Sequence, residues 1–208
     1  MPRAAEPRAA AQPQSPGQRA RWDRILRAAA ELGAQHGLDG VQMQDVAKEA
    51  GVALATLYRY FPSKTHLFTA VMGAQVDRMD EPSPQIEAAA DPAEAVAEVL
   101  LRSTRHLLRT PLLASAIMQS NYAAHAATIG ETARIDAKVR ATIMDLIGLE
   151  HPVKRDEQLV RLLMKCWHGV IVSALNGHTT QADAEAEIRL ACQVLLGTRS
   201  NVRQTGRP

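Results

Sequence analysis

Residues Val41 to Leu67 read VQMQDVAKEAGVALATLYRYFPSKTHL. From Asp45 onward, Val46, Ala47 and Ala50 give a short helix a narrow apolar face that ends at Gly51, a residue able to turn the chain with positive φ. Ala47 is small enough for a second helix to cross it closely, and Val52 and Leu57 supply that helix with its apolar contact. Small residue, glycine turn and spaced apolar positions together predict a helix-turn-helix, a unit suited to holding its second helix in the major groove of DNA.

The second helix is expected over Ala53 to Tyr60, with Ala53, Leu54, Ala55 and Thr56 toward base edges and Thr56 also able to donate to a phosphate. Tyr58, Arg59, Tyr60 and Lys64 gather hydroxyl and cationic groups of the kind phosphate oxygens accept. Gln42 and Gln44, at the start of the first helix, complete the residues expected at DNA. Phe61 is expected in the core. Pro62 biases Phe61 away from the helical region and ends the helix, after which Ser63 can cap a new one from Lys64 or Thr65. Amides at that new N-terminus would add to phosphate binding.

Upstream, Trp22, Ile25, Leu26, Ala29 and Leu32 recur at three- and four-residue steps, and Gly37 is placed to cap the helix they form. That helix is expected to brace the DNA-reading pair. Residues 1–18 are Ala, Pro, Arg and Gln with almost nothing large and apolar, and are expected to form a flexible arm. Arg3 and Arg8 of the arm, or Arg19 and Arg21 nearer the fold, can reach a groove or phosphates; a purely solubilising tail accounts for the arm at least as well. Met1 to Phe68 carries nine Lys/Arg against six Asp/Glu, whereas the remainder carries fifteen against sixteen, so the net charge of +2 is concentrated where DNA would lie.

Downstream, Leu67, Phe68, Val71, Met72, Val76 and Met79 predict a longer helix from Thr65 to about Asp80, the mechanical link to the rest of the chain, before EPSPQ breaks it. Amphipathic helices are then expected over Pro92–Arg109, Leu112–Tyr122, Ile129–Leu149, Asp156–Asn176 and Ala182–Leu196, with sharp joins at Thr110-Pro111 and His151-Pro152. No alternation of strand type appears, so the fold class is all-α. The expected organisation is an arm (1–18), a three-helix DNA-binding domain (19–66), a larger helical ligand-binding and dimerisation domain (67–198) and a disordered tail (199–208). Segments as apolar as WHGVIVSAL exceed what one domain face needs, which predicts paired helices in a homodimer.

The segment Arg21 to Ala70 resembles the TetR family of bacterial one-component regulators on Tyr58, Tyr60, Phe61 and Lys64, which match Tyr-x-Tyr/His-Phe-x-x-Lys. The resemblance implies a dimer whose two DNA-reading heads sit one helical turn apart on a palindromic duplex operator, released by an effector through a pendulum-like tilt of the helix from Thr65. Two positions depart from the family: Gln42 stands where Thr usually opens the helix, and Leu54-Ala55 where Lys-Gly is common. Gln42 is a poorer cap, and Leu54 cannot hydrogen-bond a base but suits a thymine methyl. More narrowly, VQM together with TLYRYFPSK-x-HL is similar to the actinobacterial repressors of sterol catabolism, which implies a small apolar or acyl-CoA-type effector.

Aromatics are scarce beyond Phe68, where only Tyr122 and Trp167 remain. Leu108, Met118, Tyr122, Met144, Met164 and Trp167 can enclose an adaptable apolar cavity, because Met fits irregular shapes. No phosphate-binding glycine loop, His-Glu-x-x-His or Gly-x-Ser-x-Gly occurs, and the seven histidines lack metal-ligand spacing, so neither catalysis nor a cofactor is expected. His168 is expected as a satisfied interior histidine, and Cys166 and Cys192 as buried thiols. With no stretch of signal-peptide or membrane-spanning character, a cytoplasmic protein is expected. A drug-efflux or fatty-acid-responsive repressor of the same family, a nonspecific architectural DNA binder, and a small-molecule enzyme are the alternatives.

Overall fold

The computed structural model describes residues 11–78, 81, 83–89, 91–124, 130–149 and 151–197, and every regular element among them is a helix. In chain order these are α1 (Pro16–Gly40), α2 (Met43–Glu49), α3 (Leu54–Tyr60), α4 (Lys64–Val76), α5 (Pro84–Glu87), α6 (Pro92–Leu108), α7 (Pro111–Ala123), α8 (Gly130–Leu146), α9 (Lys154–Leu175) and α10 (Gln181–Leu196). Arg3 and Arg8 of the expected arm, Met79 and Asp80, Ile129 and the tail from 199 lie outside the described residues.

Proline and short polar residues set most of the starts. Pro16, Pro84, Pro92 and Pro111 each open a helix, where a missing N–H is harmless and the fixed φ is already helical. Ser15, Ser63, Asp91 and Thr180 cap their helices by accepting from the N–H three residues on. Two expectations change accordingly. Helix α1 begins inside the segment expected as arm, because Ser15-Pro16 is a helix start. The EPSPQ break contains the single-turn helix α5. Gly37, at φ +64°, ends the regular part of α1 as expected.

One continuous core joins the two halves. Helix α4 supplies Leu67 and Phe68 to the first and Val71 and Val76 to the second. It is not the only bridge, since α1 also packs along α7 and closes on α4 at Gly33. A Cβ at Gly33 would sit 2.7 Å from the Phe68 ring and 3.0 Å from Leu113, so the approach needs glycine. In the second half, α10 is tied to α6 by ion pairs: Arg105 to Glu185 at 2.6 Å, and Arg189 to both Glu94 and Glu98. The outer face of the α9–α10 pair leaves Leu162, Cys166, Leu190 and Val194 exposed. Cys166 is therefore not the buried thiol expected. Cys192 is buried, and burial pushes its thiol up to about 12.

Candidate functional site

The turn between α2 and α3 is made by Gly51 at φ +62°, and Val52 N–H donates to Ala47 O at 2.9 Å, closing the end of α2. Arg24 on α1 also donates to Ala50 O. Helix α3 is anchored by Leu57 and Tyr60, three residues apart and both buried. Turning that face inward leaves Ala53, Ala55, Tyr58 and Arg59 exposed, with Leu54 and Thr56 half-buried beside them. Gln42 and Gln44 are exposed at the start of α2, and Gln42 caps nothing with its side chain, as its poor capping character predicts.

Two residues expected to grip phosphates are occupied elsewhere. Tyr60 is 2% exposed, its ring edge-on to Trp22 at 5.6 Å between centroids, and its hydroxyl accepts from Arg59 Nη2 at 3.3 Å. Trp22 packs against Phe61 as well, at 4.3 Å, so the three rings form the floor beneath α3. Lys64 Nζ donates to Leu38 O at 2.9 Å and Val41 O at 3.1 Å. An ammonium on the orphan carbonyls past Gly37 is a favourable helix-end contact. The glycine ending α1 was the sequence signal for such a partner. Upstream, Ala11 N–H donates to Arg59 O at 3.0 Å, so the chain entering α1 starts from the end of α3.

Two cavities open in the larger half. One, of about 230 Å³, is walled by Met72 and Val76 of α4, Leu107 of α6, Ile117 and Met118 of α7, and Trp167 of α9. Arg78, Arg102 and His106 stand at its rim. Burial first, then the charges of Arg78 and Arg109, lower the pKa of the His106 imidazole. The other, of about 400 Å³, lies among α7, α8 and α9, with Ile135, Val139, Val160 and Met164 as its apolar lining. Met72, Val76 and Trp167 border both. The Trp167 indole N–H donates to Thr104 Oγ1 at 2.9 Å, and Thr104 donates to Leu100 O, which fixes the ring between the cavities.

Met118, Tyr122, Met164 and Trp167 line these spaces, whereas Leu108 and Met144 do not. Helical rotation explains the first: Leu107 faces the cavity and its neighbour Leu108 is turned about 100° away. Met144 lies on the stripe of Arg140 but one turn further along α8, beyond the last residue of that helix that lines the space. His168 is not satisfied: its Nε2 is buried without a hydrogen-bond partner among the described residues, and burial lowers its pKa. The Tyr122 ring, itself exposed, meets the imidazole edge-on at 4.6 Å.

Comparison with known proteins follows this division. Residues 25–71 match the bacterial regulatory proteins of the tetR family, and residues 90–195 match the tetracyclin repressor-like C-terminal domain. The chain is 29% identical over 185 residues to the HTH-type transcriptional repressor KstR of Mycolicibacterium smegmatis, covering 88% of this chain and 91% of that one. It superposes on the crystal structure of a TetR transcriptional regulator from Rhodococcus sp. RHA1 with a TM-score of 0.81 and 49% identity, covering 86% of this chain and 97% of the other. The transcriptional regulator FadR from Bacillus subtilis, solved in complex with stearoyl-CoA, shares the fold, with a TM-score of 0.55, 21% identity and coverage of 84% and 97%.

Proposed function

Because the chain belongs to the TetR family of bacterial transcriptional regulators, we propose that it reads a palindromic operator as a homodimer and leaves it when a small apolar or acyl-CoA-type effector fills the larger domain. Gln42, Gln44, Ala53, Leu54, Ala55 and Thr56 face bases or the groove walls in this reading, with Tyr58 and Arg59 on phosphates. The apolar α9–α10 face, with Leu162, Leu190 and Val194 outward, is the surface a second copy would cover.

The observation that carries the regulatory part is the position of α4. Its first turn is locked to the DNA-reading unit by Lys64, Leu67 and Phe68, while Met72 and Val76 wall both cavities. A ligand that fills either space pushes on the helix that sets the angle of the DNA-reading head. It shifts the equilibrium only as far as it binds the displaced arrangement better. Similarity to the KstR repressor, with the stretch TLYRYFPSK, supports control of sterol or lipid catabolism genes.

Selection of bound duplexes from a random library, at near-physiological salt so that phosphate-only binding is suppressed, tests the reading. Enrichment of a palindrome is expected. Equal recovery of all duplexes would instead make the chain an architectural binder.

A further inference from the structure

The cavity among α7, α8 and α9 has one charged side. Arg161, Lys165 and His168 follow one another at four- and three-residue steps along α9, a stripe about 10 Å long beside the apolar line of Val160, Met164 and Trp167. Arg140 faces them from α8. Against Arg140, Arg161 and Lys165 the cavity lining offers one carboxylate, Asp136. Arg161 pairs only at 3.7 Å with Glu157, in a half-exposed setting where such a pair is weak and exchangeable. Arg140 and Lys165 make no hydrogen bond or ion pair among the described residues. The smaller cavity differs in that each of its guanidinium groups already has a hydrogen-bond partner: Arg102 donates to Glu81 O at 2.8 Å and Arg78 to Gln75 Oε1 at 3.1 Å.

A second observation points the same way. His168 Nε2 is the one buried ring nitrogen among the described residues without a partner, and it belongs to the cavity wall, beneath the exposed Tyr122 ring. A buried nitrogen without a partner has lost its hydrogen bonds to water and gained none in exchange. A ligand oxygen reaching it after a rotation of Tyr122 would recover that loss.

The geometry points to a polarity for the bound effector: an elongated amphipathic molecule whose oxyanion end, carboxylate or phosphate, lies on Arg140, Arg161 and Lys165. An oxygen of the head or of the adjoining group meets His168. The apolar remainder runs inward over Met164 and past Trp167 into the smaller cavity. The two spaces together fall within the volume range of small-molecule sites, about 300–1,000 Å³. This assignment rests on the larger domain being the effector's seat. Its test needs no DNA, so its failure leaves the outcome of the operator selection untouched.

The experiment is titration calorimetry of the full chain with palmitate, palmitoyl-CoA, cholate and the neutral hexadecanol, on the natural protein and on the double variant Arg161→Gln, Lys165→Gln. Both positions are exposed on a helix, and an unchanged melting curve certifies the fold. At least one anionic probe is expected to bind, to lose about tenfold or more in the double variant, and to show weaker binding as salt rises. Hexadecanol should change by less than about twofold. A several-fold loss of the anionic probe is expected from His168→Phe, which keeps size and removes the nitrogen. Equal losses for charged and neutral probes, no binding by any of the four, or a loss produced by Arg102→Gln instead would each overturn the assignment. Carboxylate and phosphate heads are told apart by which anionic probes survive competition with free coenzyme A.

Discussion

At Lys64, a phosphate contact and a helix cap make opposite predictions for the same substitution. The ammonium is bound to Leu38 O and Val41 O, so Lys64→Met strands two carbonyls and should cost about 1–3 kcal/mol, lowering the melting temperature by roughly 2–4 °C per kcal/mol. Operator binding by the folded variant should keep its salt dependence. An unchanged melt with a salt slope reduced by about one would return Lys64 to the phosphates. Tyr58 and Tyr60 divide in the same manner. Tyr58→Ala, at an exposed ring, should weaken operator binding with little loss of stability, whereas Tyr60→Ala should empty the floor beneath α3 and cost about 3–5 kcal/mol in a denaturant melt. Spacing puts both tyrosines on the DNA side, although it also marks Leu57 as the apolar contact of α3; the missed step is that the position three residues beyond Leu57 then has to face inward.

Helices α1, α4 and α7 meet at Gly33, and α4 meets α8 at Gly73, yet the two glycines differ in what surrounds them. At Gly33 a methyl group would meet the Phe68 ring and Leu113 inside the core, so Gly33→Ala should destabilise by about 1–3 kcal/mol. At Gly73 it would meet the flexible ends of Glu131 and Arg134, which can swing into solvent. Gly73→Ala should therefore cost less than about 1 kcal/mol, the most an exposed pair such as Arg134–Asp77 is worth. Chemical denaturation of the two variants checks the order, and a larger loss at Gly73 would mean the Arg134 clamp on α4 is rigid. The helices themselves were legible because Pro and Ser/Asp/Thr mark their starts and Leu, Ile and Val recur at helical steps. Contacts between helices were not: nothing near Gly33 in sequence announces that Leu113 lies against it. The same limit separated Leu107 from Leu108, since periodicity locates a face only to within a residue.

For the whole molecule, the α6–α10 ion pairs and the α9–α10 outer face set two expectations. Hydrogen bonds from Arg105, then from Gln181, hold the Glu185 carboxyl at about 2, below its ordinary 4.5. A carboxyl depressed in the folded state adds stability that is complete above pH 4.5 and is lost as pH falls toward 2. Glu185→Gln should therefore flatten the acid limb of the stability profile in that window and leave its slope near neutrality alone. Leu190→Glu places a charge on the exposed apolar face of α10; light scattering should show monomers, and the palindrome should be bound weakly or not at all. A dimer that survived the change would move the interface elsewhere.

The chain carries two tryptophans, and the fold gives one to each half. Trp22 packs against Tyr60 and Phe61 beneath α3; Trp167 divides the two cavities, its N–H held by Thr104. Each module thus contains its own fluorophore. With Trp22→Phe and Trp167→Phe as single-indole partners, arrival of an effector and displacement of the DNA-reading head become two separately timed optical signals. The delay between them would measure directly how fast a push on Met72 and Val76 reaches the operator.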